Sequence, residues 1–438
     1  MSKRAIHGAL LVAWLAAASS VAPAAILSQV ANAPVPTVTL DEARRRAAQV
    51  HPDAVAARGQ VETASWERRS ALANLVTPHI SANGNYTRFS DPFFNFGTGG
   101  ISPNATSATL EARYTLLGAG KLGNLKSARA SLRSAEASET AAEFRTALEA
   151  DRAYYEVLED KELARVAADR LRRAEEQFEV ARVRVLAGEA IASDSLQLSL
   201  EVNRARVGVL SSDSALAASR LTLGRLIGIS GPAEATPLDS AVPPALPMTL
   251  DEAIAEMRLR GPEITAARAA ERRADAIVLA ERELYLPEIT VGATAGAYDS
   301  QLFPDALHRS QLAVTVSLPL WNAGQRELTV ARARADRNVA RAERQDQERA
   351  AGERVAQSYH GYGTARAGIE LALVGVAVAT ENYRVQRARY REGATTILDL
   401  LEAQVALTES EATLVQSRYR TRLALAQLEA LLGRRILQ

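Results

Sequence analysis

The chain contains no cysteine. That excludes a disulfide framework, a thiolate metal site and a cysteine nucleophile. It also excludes a lipid-anchored N-terminus, which needs a Cys at its cleavage site. Aromatic residues make up only 5%, low for a compact mixed domain but common in Ala-rich helical arrays. Lysine is scarce beside arginine. A large charge of one sign is missing too: the formal net charge is +1, which argues against nucleic acid as the main partner. His7, His51, His79, His308 and His360 are scattered without metal-like spacing. No phosphate-cradling Gly loop and no nucleophile elbow is present, and Gly97-Thr98-Gly99-Gly100 reads as plain loop. Neither an enzyme activity nor a cofactor is expected. After the first residues, no stretch reads as apolar enough to span a membrane as a helix.

What is present begins with an export signal. Lys3 and Arg4 precede a short apolar run, Ala9 to Ala18, shorter than the roughly 20 residues of a spanning helix. Ala22-Pro23-Ala24 and Ala31-Asn32-Ala33 both suit cleavage. Residues 1–33 are therefore read as a signal peptide, cut after Ala24 or Ala33.

The rest of the chain is a tandem duplication. Thr39-Leu40-Asp41-Glu42-Ala43 recurs as Thr249-Leu250-Asp251-Glu252-Ala253, both read as capping boxes. Pro52 is matched by Pro262, Pro78 by Pro287, Gly120 by Gly324, Tyr154 by Tyr359, Gly188 by Gly393, Asp194 by Asp399 and Gly228 by Gly433. The spacing drifts only from 210 residues (Thr39 to Thr249) to 205 (Gly228 to Gly433). The first repeat covers 39–228, a Pro/Ala/Gly-rich linker 229–248, and the second repeat 249–433. Each repeat carries a helix (41–76, 251–286), two strands, a long helix (120–187, 323–392), a glycine tip and a last helix (192–227, 396–432). The long helices would reach roughly 100 Å, a coiled-coil, stalk or tunnel dimension.

The last helix of the first repeat has two apolar stripes. Leu196, Leu200, Asn203, Val207, Leu210, Ser214, Ala217 and Leu221 form a heptad seam. Leu198, Val202, Ala205, Val209, Leu216 and Leu223 form a second beside it. Two seams need a neighbour on each side, which suits a closed ring of helices better than a bundle with one broad stripe.

Strands are expected at about 79–88, 108–117, 288–298 and 310–320, each alternating apolar and polar residues over about ten positions, the length of a tilted membrane strand. Tyr86, Tyr285, Tyr298 and Trp321 lie at their ends as candidate membrane-interface aromatics. The connections, 90–107 and 299–309, read as long irregular loops. Four strands cannot close a barrel in lipid, so several copies must share one. Two would give eight strands and a filled interior; three would give twelve and a channel.

At each tip a Gly ends a helical run and an Asp follows six positions later, which reads as a helical hairpin. Asp399 and Glu402 from three copies would form an acidic ring favouring cations. Asp399 also stands three residues after Thr396, so it equally suits a helix cap; Asp194 invites the same reading.

Together these residues resemble the TolC family of outer-membrane efflux channels. The resemblance rests on Thr-Leu-Asp-Glu-Ala with its following Pro, Leu320-Trp321-Asn322-Ala323-Gly324, Tyr154, Tyr359 and the two Gly-plus-Asp tips, and covers 39 to 433. It implies a mainly α fold with a β membrane part. A homotrimer would form a 12-stranded outer-membrane β-barrel and a long periplasmic α-helical tunnel. It implies a passive exit channel of a tripartite efflux or type I secretion system, embedded in outer-membrane lipid. A periplasmic adaptor (membrane fusion protein) and an inner-membrane pump would dock at the tips, at Gly188, Glu189, Gly393 and Ala394. It further implies a pore constriction at Asp399 and Glu402, with Asp194 and Tyr390 bonding between helices. Some members carry an Arg two positions past the tip Gly; here Ala190 and Thr395 stand there. The alternative from another class is a soluble periplasmic coiled-coil scaffold or adaptor protein.

Overall fold

A computed structural model describes residues 35–95, 99–118, 120–188, 190–238, 242–299 and 306–437. The expected signal peptide, residues 1–33, lies outside the described residues. Thr37–Gln438 forms one compact unit.

Each repeat opens on two helices rather than one. In the first these are α1 (Leu40–Val50) and α2 (Pro52–Val76); in the second they are α5 (Leu250–Arg260) and α6 (Pro262–Arg282). The single helices expected over 41–76 and 251–286 are thus broken. A proline ring bars its predecessor from helical geometry, and His51 and Gly261 accordingly sit extended, at ψ 132° and 128°. Proline at the first helical position then starts the next helix without loss. Only one of the two expected capping boxes is complete. Thr249 and Glu252 bond reciprocally. At Thr39 the hydroxyl accepts from the Glu42 amide, but the Glu42 carboxylate takes Arg46 instead at 2.6 Å.

Long helices follow, α3 (Lys121–Leu186) and α7 (Gln325–Arg391). Both start from a left-handed glycine, Gly120 at φ 86° and Gly324 at φ 77°. Each turns back through a tip into α4 (Ala192–Leu226) or α8 (Ile397–Leu432). The matched tyrosines Tyr154 and Tyr359 share a job. Tyr154 donates to the Thr236 carbonyl at 2.6 Å and Tyr359 to the Met248 carbonyl at 3.0 Å, strapping the linker to both long helices. A short parallel pairing of β1 (Thr37–Val38) with β4 (Glu234–Ala235) adds to this strap. Two apolar clusters lie beneath it, one around Tyr154, Leu158, Leu223 and Ile227, the other around Met257, Ile264, Val355 and Leu428.

The four long strands form one antiparallel sheet in the order β2 (His79–Asn95), β3 (Gly100–Leu117), β5 (Glu288–Asp299), β6 (Leu307–Ser317). Its register separates two faces. Ile80, Ala112, Ala293 and Leu312 stand in one row, while Ser81, Glu111, Thr294 and Gln311 stand in the next. One face is therefore apolar and the other polar, as a barrel wall requires.

Three expectations about the strands are corrected. The irregular loop read over 90–107 is instead a continuation of β2 and β3, which pair out to Asn95 and Gly100. Pro92 and Pro103 are accommodated because both fall in the register break between Arg88 and Phe93, where no ladder bond is needed. The last strand ends at Ser317, not 320; Pro319 lies just beyond. Tyr298 pairs with Ser107 and Leu307, in the row of Asn85 on the polar face. It therefore does not share the apolar face with Tyr86. Tyr86 lies on the apolar face and is 63% exposed, and Trp321 is 79% exposed.

The two stripes of α4 meet different fates. Leu198 and Leu223 are wholly buried, and Val202 and Ala205 nearly so; α4 packs against α3. The other stripe is bare, with Leu196, Val207 and Leu210 each at least 65% exposed. A second bare seam lies on α7, at Leu371, Val374, Val378 and Val385, spaced by three, four and seven. This seam corrects the expectation that no later stretch is apolar enough to cross a membrane. An 18-residue window of α7 reaches a mean hydropathy of 1.3 with 17% of it buried.

Candidate functional site: the paired helical tips

The tips are built alike and capped differently. In the second, α7 ends and Gly393 turns left-handed at φ 73°. Its amide donates to the Tyr390 carbonyl at 3.1 Å, and Ala394 donates to Arg389 at 2.8 Å, closing the helix end. In the first, Gly188 takes φ 78° and donates to Val185 at 3.1 Å. Glu189, expected beside it, lies outside the described residues.

Asp399 forms a cap. One oxygen of its carboxylate accepts from the Thr396 hydroxyl at 2.6 Å, the Thr395 hydroxyl at 2.9 Å and the Thr396 amide at 3.1 Å. The Asp399 amide donates back to the Thr396 hydroxyl at 3.3 Å. These bonds, led by the Thr396 hydroxyl, hold the carboxyl below its usual range. The side chain is nevertheless exposed, as is Glu402 one turn along α8.

Asp194 is not a cap, contrary to the expected parallel. The N-cap of α4 is Ile191, which offers no side-chain bond. The Asp194 carboxylate instead accepts from the Tyr390 hydroxyl at 3.5 Å, linking α4 to α7. Tyr390 is 3% exposed, and burial first, then the Asp194 charge, pushes its phenol above the ordinary range. Arg184 completes the junction. Its guanidinium stands 5.3 Å from the Tyr390 ring centre and donates to the Tyr390 carbonyl. Sequence reasoning passed over Arg184, although it occupies the repeat position of Arg389. Arg389 donates to Ala394 in its own tip at 3.3 Å, while Arg184 crosses to the other one.

Above this junction the two hairpins share an apolar cluster of Ala181, Leu198, Tyr383, Ile397, Leu400 and Leu407. Polar bonds cross it: Gln177 to the Tyr383 hydroxyl at 2.6 Å, Arg173 to both oxygens of Glu411 at 3.1 and 2.8 Å, and Arg387 to Glu176 at 3.0 Å. The α3/α4 hairpin is thus pinned to the α7/α8 hairpin by separable polar contacts near the tips. Tyr390→Phe keeps the buried ring and its cation contact and loses one long hydroxyl–carboxylate bond. Its expected cost is small, about 0.5 kcal/mol, and hydrogen exchange of the 388–394 amides would read it as a local increase.

The model for the family described as outer membrane efflux protein matches residues 40–229 and 253–434. The toluene efflux pump outer membrane protein TtgC of Pseudomonas putida is 26% identical over 356 residues, spanning 78% of this chain and 72% of the relative. The antibiotic efflux pump outer membrane protein ArpC of Pseudomonas putida matches to the same extent. Among solved structures, CusC superposes with a TM-score of 0.78 at 18% identity, covering 90% of this chain and 92% of that one. VceC of Vibrio cholerae gives 0.76 at 20%, covering 91% and 96%. The open state of MtrE of Neisseria gonorrhoeae gives 0.75 at 19%, covering 91% and 89%. With its duplicated helix–helix–strand–strand–helix–helix unit and TolC-like fold, the chain belongs to the outer membrane efflux protein family and is an efflux channel of the outer membrane.

Proposed function

We propose that three copies of this chain close into one 12-stranded barrel and one helical tunnel, forming a passive duct from the periplasm to the exterior. The observation that carries this reading is that one chain ends in two bare, matching edges. In its sheet, β2 and β6 are each paired on one side only, and an open edge is not viable in lipid. In its helices, the α4 seam (Leu196, Leu200, Val207, Leu210) and the α7 seam (Leu371, Val374, Val378, Val385) are exposed. Leu196 and Val385 each stand 8 residues from their tip glycines, about two turns, and Leu210 and Leu371 each stand 22 residues from them, about six turns, so the seams lie at the same levels. One chain's α4 therefore meets the next chain's α7, a head-to-tail contact that closes into a ring. Three copies leave a lumen where two would fill it.

Residues 1–33 act as the export signal in this reading. Tyr86, Tyr285 and Trp321 anchor the barrel at the lipid interface. The tips, with Gly188, Gly393 and Ala394, face a periplasmic adaptor and an inner-membrane pump, which supplies the energy. Asp399 and Glu402 from three chains ring the mouth. Capping and pore lining are compatible for Asp399, since its bonds engage one carboxylate oxygen and the side chain stays exposed.

Asp399→Ala and Glu402→Ala test the ring in planar bilayers. Loss of cation selectivity and of block by divalent ions is expected. Unchanged conductance and selectivity in both would leave Asp399 a cap alone. Because its carboxyl is held below its usual range, the wild-type selectivity is expected to persist as pH falls to about 4, which a reversal-potential series reads directly.

A further inference from the structure

The buried side chain with the poorest hydrogen bonding in the tip is Gln404. It lies on α8 between Leu400 and Leu407, flanked by Ala403, at the heart of the cluster that joins the two hairpins. It is completely buried, and neither its amide nitrogen nor its carbonyl oxygen finds a partner among the described residues. Buried side-chain amides are nearly always bonded, because an unmet donor and acceptor keep the full cost of leaving water. Gln177 is in a related position: its nitrogen serves Tyr383, but its buried carbonyl oxygen is also without a partner.

The fold does not need a glutamine there. The repeat position on α4 is Ser199, only half buried, and the first hairpin closes in the same way without an amide. A leucine or methionine would fit the apolar surroundings of α8 better. The glutamine therefore weakens the packed arrangement at the place where the hairpins are otherwise held by exchangeable polar bonds, Gln177–Tyr383, Arg173–Glu411 and Arg387–Glu176.

We propose that Gln404 is a gate-setting residue: its unpartnered amide destabilises the packed tip and so sets how often the α7/α8 hairpin parts from α3/α4 and the mouth opens. When the hairpins part, the amide regains water. This rests on the channel reading above, in which the tips surround the periplasmic mouth. Gln404 acts through packing and touches no transported molecule.

The test uses the full-length protein in outer membrane and in planar bilayers, with Gln404→Met, which keeps the length of the side chain and removes both polar groups, and Gln404→Leu as a second apolar variant should the first fail to assemble. Exchange of the 397–407 amides is expected to slow about tenfold, and spontaneous openings in the bilayer are expected to fall by a similar factor with the conductance of the open state unchanged. Exchange that is unchanged or faster would mean that the amide is already satisfied, by bound water for instance, and would overturn the proposal. Slower exchange with unchanged opening would overturn it too, leaving Gln404 a stability determinant only. A wild type that conducts while both variants open just as often defeats this proposal alone. A wild type that forms no pore at all defeats the channel reading along with it.

Discussion

Replacing Val207 and Leu210 by Glu is expected to leave each chain folded and to dissolve the assembly into single chains. Both side chains are at least 65% exposed in the isolated chain, so neither change disturbs the packing of α4 on α3, which uses Leu198, Val202, Ala205 and Leu223. In the proposed ring, the two positions face the α7 seam of the next copy. A carboxylate buried there without a partner costs several kcal/mol, and three copies of the interface suffer it at once. The check is native mass of the detergent-extracted protein: single chains with wild-type helical content are expected. A variant that still assembles would place the contact elsewhere. The control is Leu198→Glu on the buried stripe, which should instead unfold the α3/α4 hairpin.

Arg44→Met is expected to destabilise the folded chain strongly. Arg44 on α1 makes a two-pronged pair with Asp151 on α3, both bonds 2.6 Å, and Asp151 is only 3% exposed. Removing one partner of such a pair leaves a buried lone charge, at about 3–5 kcal/mol. Burial already raises the Asp151 carboxyl above its ordinary 3.8, against the pull of Arg44. Without Arg44 it rises further. A carboxyl whose folded-state value is raised favours the fold while protonated, and that contribution is lost as pH climbs through the raised value. The deficit of Arg44→Met should therefore be largest near neutral pH and shrink below about pH 4, where the carboxyl is neutral in both states. Thermal melts across that range decide it. The double variant Arg44→Met with Asp151→Leu should recover most of the loss.

Much of this fold was legible because its signals are local and occur twice. The prolines after His51 and Gly261, the glycines at 120, 188, 324 and 393, and the alternation along β5 and β6 each dictate backbone geometry without help from the rest of the chain. Two stripes on one helix also pointed to two neighbours, and in the folded chain one stripe is buried on α3 and the other is bare. What was not legible depended on distant partners. Glu42 gave up its cap because Arg46 competes for its carboxylate. Asp194 looks like Asp399 in the sequence, yet Ile191 stands where Thr396 stands, so no hydroxyl holds it at its own helix end and it turns to Tyr390. The outer halves of β2 and β3 were hidden because the bulge that takes in Pro92 and Pro103 arises only once the two strands are paired. Tyr298 was assigned by its position at a strand end, whereas the two-residue period of β5 puts it on the polar face. Arg184 and Gln404 carry no motif at all; their roles exist only where the two hairpins meet.

The central claim is that this chain is one third of a closed channel. The most direct measurement is the mass of the wild-type protein extracted from outer membrane and kept native. Three mature chains in one heat-resistant particle, recovered with the outer-membrane fraction, is the predicted result. A single chain or a dimer recovered with soluble periplasm would contradict it, because the free edges of β2 and β6 and the bare seams of α4 and α7 would then have no partner.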